Sequence, residues 1–61
     1  MVMNKIELYG RTWEQVTTNY NLEEDEWWFV INVNQYQLYM NNVIGVMVLI
    51  DSNNNQIECF I

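Results

Sequence analysis

Thr12-Trp13-Glu14-Gln15-Val16-Thr17-Thr18-Asn19-Tyr20 is the stretch on which the fold turns. Taken locally, Thr12 to Gln15 is a capping box, in which the threonine hydroxyl takes an amide of the first turn and the glutamine reaches back. Glu14 then sits at the positive end of a helix dipole. Trp13, Val16 and Tyr20 recur at i, i+3 and i+7, the spacing of a core-facing helical stripe. Asn19 or Asn21 can end such a helix, because asparagine tolerates left-handed geometry. The spacing therefore predicts a short helix, and two turns hold only when packed on a sheet. Thr17, Thr18 and Tyr20 favour strands and leave an extended reading open.

Outward from this stretch the pattern has a period of two. Residues 4–9 alternate, with Ile6 and Leu8 on one side, and Gly10 breaks the run. Residues 27–33 are rich in aromatic and β-branched side chains and read as a strand. The apolar parity then shifts to Tyr36, Leu38 and Met40, so a tight turn or bulge is expected at Asn34-Gln35. Asn41-Asn42 suits a two-residue hairpin turn. An all-apolar strand over 43–50 follows, then a polar turn over 51–55. A last strand over 56–61 places Ile57, Cys59 and Ile61 inward. The expected fold is α+β, in one compact domain over residues 1–61. It is a small antiparallel meander of four or five strands, in the order β-α-β-β-β-β, with one short helix packed on one face. A small closed β-barrel is the alternative.

A strand apolar on both sides needs cover on both sides. One short helix covers a single face, so Val30, Val46 and Val48 are expected on an open face that meets a partner or a second copy through a two-fold interface.

With 61 residues there is room for one thin core, and chains this short bury only about 60% of their unfolded surface. Cys59 is the single cysteine and there is no histidine, so neither an internal disulfide nor a zinc site is expected. The chain is 51% hydrophobic with a net charge of −6. Both bases, Lys5 and Arg11, lie near the start, whereas Thr12 to Ile61 holds seven acids and no base. Most carboxylates thus lack an internal partner, and their repulsion must be offset or used. A lone thiol, an apolar run far short of a membrane span and a charged, alternating start point to the cytoplasm.

Catalytic chemistry finds little footing. No nucleophile–histidine pair is possible, and Gly10 and Gly45 stand alone rather than in a phosphate loop. Cys59, between Glu58 and Phe60, reads as core. The 51–55 segment lacks the glycine and terminal glutamate of a calcium loop. No enzyme activity, cofactor or metal is expected, and direct nucleic-acid binding is disfavoured without lysine and arginine.

What remains is Leu22-Glu23-Glu24-Asp25-Glu26-Trp27-Trp28-Phe29, four acids set against three aromatic rings. Glu23, Glu24, Asp25 and Glu26, with Trp27 or Trp28 as anchor, are the expected partner-binding residues. The expected function is a non-enzymatic acidic protein that docks into the basic groove of a nucleic-acid-binding protein or nuclease, an inhibitor of phage or mobile-element type acting as a DNA mimic. The alternatives are a structural homodimer whose acids merely solubilise it or guard a sticky strand, and a small ligand- or carbohydrate-binding module. The hairpin Val48-Leu49-Ile50-Asp51-Ser52-Asn53 is similar to the closing hairpin of the uracil-DNA glycosylase inhibitor family. That resemblance is confined to the hairpin and carries no site residues across.

Overall fold

The computed structural model describes residues 5–61; Asn4, expected to open the first strand, lies outside them. Six strands follow one another: β1 (Lys5–Leu8), β2 (Arg11–Val16), β3 (Trp28–Val33), β4 (Tyr36–Asn41), β5 (Val46–Ile50) and β6 (Gln56–Phe60). All pairings are antiparallel, in one sheet of order β1-β2-β6-β5-β4-β3 that curls into a half-barrel. No helix occurs among the described residues. The α+β expectation is therefore corrected to all-β, and the order β-α-β-β-β-β to six strands.

The decisive error lies in the stretch from Thr12 to Tyr20. Its capping box and stripe are local signals, and pairing on both sides overrides them. β2 takes β1 on one side, with Ile6 opposite Trp13, and β6 on the other, with Gln15 opposite Phe60 and Val16 opposite Cys59. Glu14 and Ile61 extend this seam, exchanging backbone N–H···O bonds of 2.6 and 2.8 Å. The apparent helical stripe is split between the two faces of the sheet: Trp13 enters one core, while Val16 and Tyr20 pack on the other.

Turn chemistry fixes the registers. Tyr9 and Gly10 both have positive φ, 57° and 70°, as a two-residue hairpin loop of the primed type needs. Asn34 (φ 56°) opens the tight turn between Val33 and Tyr36, where the parity shift placed it. The next connection differs from the expected Asn41-Asn42 turn. Asn41 ends β4 opposite Val46, and its Oδ1 accepts the amides of Val43 and Ile44 at 2.9 and 3.3 Å. The loop thus takes four residues, and β5 begins at Val46 rather than Val43. In the last turn the Asp51 carboxylate accepts the amides of Asn55 and Asn53, both at 2.9 Å. The Asn55 amide leads in holding its carboxyl below the ordinary 3.8.

Two small cores result. The inner one contains Trp13, Leu38, Met40, Met47 and Phe60, with Ile6, Leu8, Val30 and Leu49 packed against it. Arg11 caps it, its guanidinium 4.0 Å from the centre of the Trp13 ring. The outer core contains Val46, Val48, Ile50 and Cys59. A register shift beside Ile50 leaves Ile57 without a partner and exposed, so Cys59 and Phe60 are the buried residues of β6, one on each face. The expected inward set of Ile57, Cys59 and Ile61 is correct only for Cys59, since Ile61 is also exposed.

The closed-barrel alternative fails at the edges. β1 and β3 are not paired to each other. They do approach: Ile6 of β1 and Val33 of β3 line one cavity of about 130 Å³ with Leu38, Leu49, Glu58 and Phe60. The curl stops short of closure.

Candidate docking site

Residues 17–27, between β2 and β3, form a strap across the outer face of the sheet. It supplies the cover that the sequence analysis assigned to a helix or a second chain. Tyr20, Leu22 and Trp27 pack on Val46, Val48, Ile50 and Cys59. The Tyr20 and Trp27 rings meet edge to face, 6.1 Å between centroids. Gln56 of β6 pins the strap by its side chain: Nε2 donates to the Thr18 carbonyl and Oε1 accepts the Tyr20 amide, each at 2.7 Å.

Between the half-buried anchors Leu22 and Trp27 the chain must turn outward. Asn21 makes that turn, with Oδ1 accepting the Glu23 amide at 2.9 Å and its carbonyl accepting the Glu24 amide at 3.3 Å. Glu23, Glu24, Asp25 and Glu26 are all exposed on its outer side. The structure thus brings these four expected site residues together on one short turn, fixed at both ends.

The two tryptophans separate. Trp27 faces inward beneath the strap, half-buried, with an indole N–H that is buried and has no acceptor. Trp28 begins β3 opposite Met40 and remains exposed. Of the pair, only Trp28 offers substantial surface. Val46 and Val48 are covered by the chain's own strap, and Val30 is half-buried against the inner core, so none of the three presents an open face. Sequence reasoning missed Gln56, Asn21 and Tyr20 as the residues that shape the turn. The Asn-x-acid spacing of an Asx turn at Asn21 was the available signal.

No family model, curated protein or solved structure matches this chain.

Two shallow grooves flank the strap where it meets the 51–55 turn. One, of about 300 Å³, is lined by Asn21, Leu22, Glu23, Trp27, Tyr39, Ile50 and Asn54. The other, of about 360 Å³, is walled mostly by carboxamides, among them Asn19, Asn54 and Gln56. Neither is lined by a serine, threonine, cysteine or lysine. Cys59 is buried, and burial pushes its thiol up to about 11, which keeps it protonated and inert at neutral pH. Among the described residues no group of three His, Cys, Asp or Glu side chains is placed to hold a metal. No helix among them is long and apolar enough to cross a membrane.

Proposed function

We propose that the protein is a non-enzymatic acidic binding protein whose Glu23–Glu26 turn enters the basic groove of a partner and takes the place of nucleic-acid phosphates there. The observation that carries this reading is the anchoring of the turn. Tyr20, Leu22 and Trp27 hold its ends to the outer core, and four carboxylates are left outside.

Two physical consequences support it. A fixed turn loses little conformational freedom on binding, so more of the interaction free energy appears as affinity. Four adjacent charges on a molecule of net charge −6 steer a basic partner inward and set the orientation of the encounter. Exposed Trp28, next to the turn, supplies the apolar contact that a purely ionic face lacks. A solvating or gatekeeping role would need the acids near β3 but would not need them held.

The test is capture of nucleic-acid-binding proteins from a bacterial lysate, with elution by duplex DNA or by salt. Reversal of the turn by Glu23→Lys, Glu24→Lys, Asp25→Lys and Glu26→Lys together is expected to weaken capture at least tenfold, because all four side chains are exposed and the fold does not use them. Retention of the same partners by the reversed protein, or indifference to competing DNA, would reject the reading.

A further inference from the structure

We propose that two copies of this chain associate through β3, edge to edge and antiparallel, about a two-fold axis. This goes beyond the docking role of the acidic turn and does not rest on it. Among the described residues β3 is bonded on one side only, to β4, and its other side offers N–H and C=O groups that none of them pairs. Its side chains Trp28, Phe29, Ile31 and Val33 are between 38% and 52% exposed. No charged residue occurs between Glu26 and Asp51, so nothing on this edge repels another strand. The other edge, β1, carries exposed Lys5 and Glu7, the usual protection.

A second copy is the occupant that fits, for two reasons. Trp28 at one end of β3 and Ile31 and Val33 at the other share the inner face, opposite Met40, Leu38 and Tyr36, whereas Phe29 lies on the outer face against Tyr39. Antiparallel pairing about a two-fold axis therefore sets the Trp28 ring of each copy against β-branched side chains of the other, a favourable cross-strand combination made twice. The same arrangement answers the charge problem. Each acidic turn comes to lie beside the uncharged Asn34-Gln35 turn of the other copy. The two acidic clusters are separated by the length of a six-residue strand, about 20 Å, well beyond the screening length of about 8 Å at physiological salt. Parallel pairing would instead stack eight carboxylates.

Size sets the strength. The exposed parts of these four side chains amount to roughly 350 Å² per copy, judged from the area such residues bury. Both copies together fall below the roughly 1,200 Å² at which stable interfaces begin. The irregularity at Val30 shortens the ladder further. The dimer is accordingly weak and concentration-dependent, and it stops at two because the edges then left among the described residues are those of β1, guarded by Lys5 and Glu7.

Sedimentation of the full chain from micromolar to near-millimolar concentration tests this, at low and at 0.3–0.5 M salt. A monomer–dimer equilibrium is expected that tightens with salt, since each copy carries −6. Docking to a basic partner weakens with salt, so the two proposals answer to opposite signs. Ile31→Lys and, separately, Val33→Lys are expected to weaken the dimer at least tenfold. Val43→Lys, at a loop position 89% exposed, leaves it unchanged. Amide exchange of β3 is expected to slow as concentration rises, a readout that needs no variant. A monomer under every condition overturns the proposal, as do open-ended aggregates or a dimer that survives both β3 substitutions. Reversal of the four acids ends partner capture but leaves the dimer intact.

Discussion

Cys59 shows how a residue can register its surroundings without acting on them. It is buried in the outer core, and burial alone raises its thiol from an ordinary 9.0 to about 11. The folded state therefore holds this proton more tightly than the unfolded state does. Its contribution to stability is complete below pH 9 and is lost as the pH climbs through 9 to 11. Thiol-specific reagents at pH 8 are expected to modify Cys59 only at the rate of global opening, as denaturant-dependent labelling kinetics will show. Rapid labelling of the folded protein would contradict the burial. Legibility at this scale was uneven. Cys59 as core was legible from its place in the last strand between Glu58 and Phe60 and from the absence of any base after Arg11. The choice between Trp27 and Trp28 was not, because adjacent strand residues point to opposite faces and both faces of this sheet are apolar. Only the path of the strap, which no short-range pattern describes, decides which ring is covered.

At the scale of elements, the strap is an irregular segment that does a helix's work. Its hold depends on Gln56, whose side chain bonds the backbone at Thr18 and Tyr20. Gln56→Ala removes both bonds and is expected to cost about 1–2 kcal/mol. Hydrogen exchange should quicken at Tyr20 while the β4–β5 ladder keeps its protection. Equal loosening of both would mean that strap and sheet open together. The misassigned helix has a related cause. Capping residues and an i, i+3, i+7 stripe report on one face, whereas Thr12 to Tyr20 serves two cores in succession. Apolar alternation was missing here, because Trp13 shares its face with Gln15 and Val16 shares the other with Thr12 and Glu14. The β-branched content of the stretch was the truer guide. The remaining strands were legible because they repeat with period two and are separated by asparagine- and glycine-bearing turns. Their exact faces were not, because the irregularities at Val30 and Ile57 each shift the pattern by one residue.

For the whole molecule, charge and topology matter most. Seven acids and no base from Thr12 onward leave a surface that repels itself. Raising salt from about 10 mM to 0.15 M at micromolar protein is expected to raise the melting temperature by roughly 2–4 °C, equivalent to about half a kcal/mol in a domain this small. A flat or falling melting temperature would show that the carboxylates are compensated inside the fold. The all-β outcome also changes what covers the outer face: the chain's own strap covers it, and exposed apolar side chains gather along β3 instead.

Every strand pairing except one joins neighbours in sequence; the exception is β2 with β6, near opposite ends of the described chain. Assembly therefore has an order. The β1–β2 hairpin and the hairpins linking β3 to β6 can form as local events, whereas joining β2 to β6 closes a long loop and is the slow step. Gln56, which seats the strap, belongs to that last strand. Asn21 can bend the turn locally, but the strap that carries it is seated only once β6 is in place. On the docking role proposed above, a partner would recognise only chains in which β6 has already taken its place, and unfolded chains, however acidic, would be passed over.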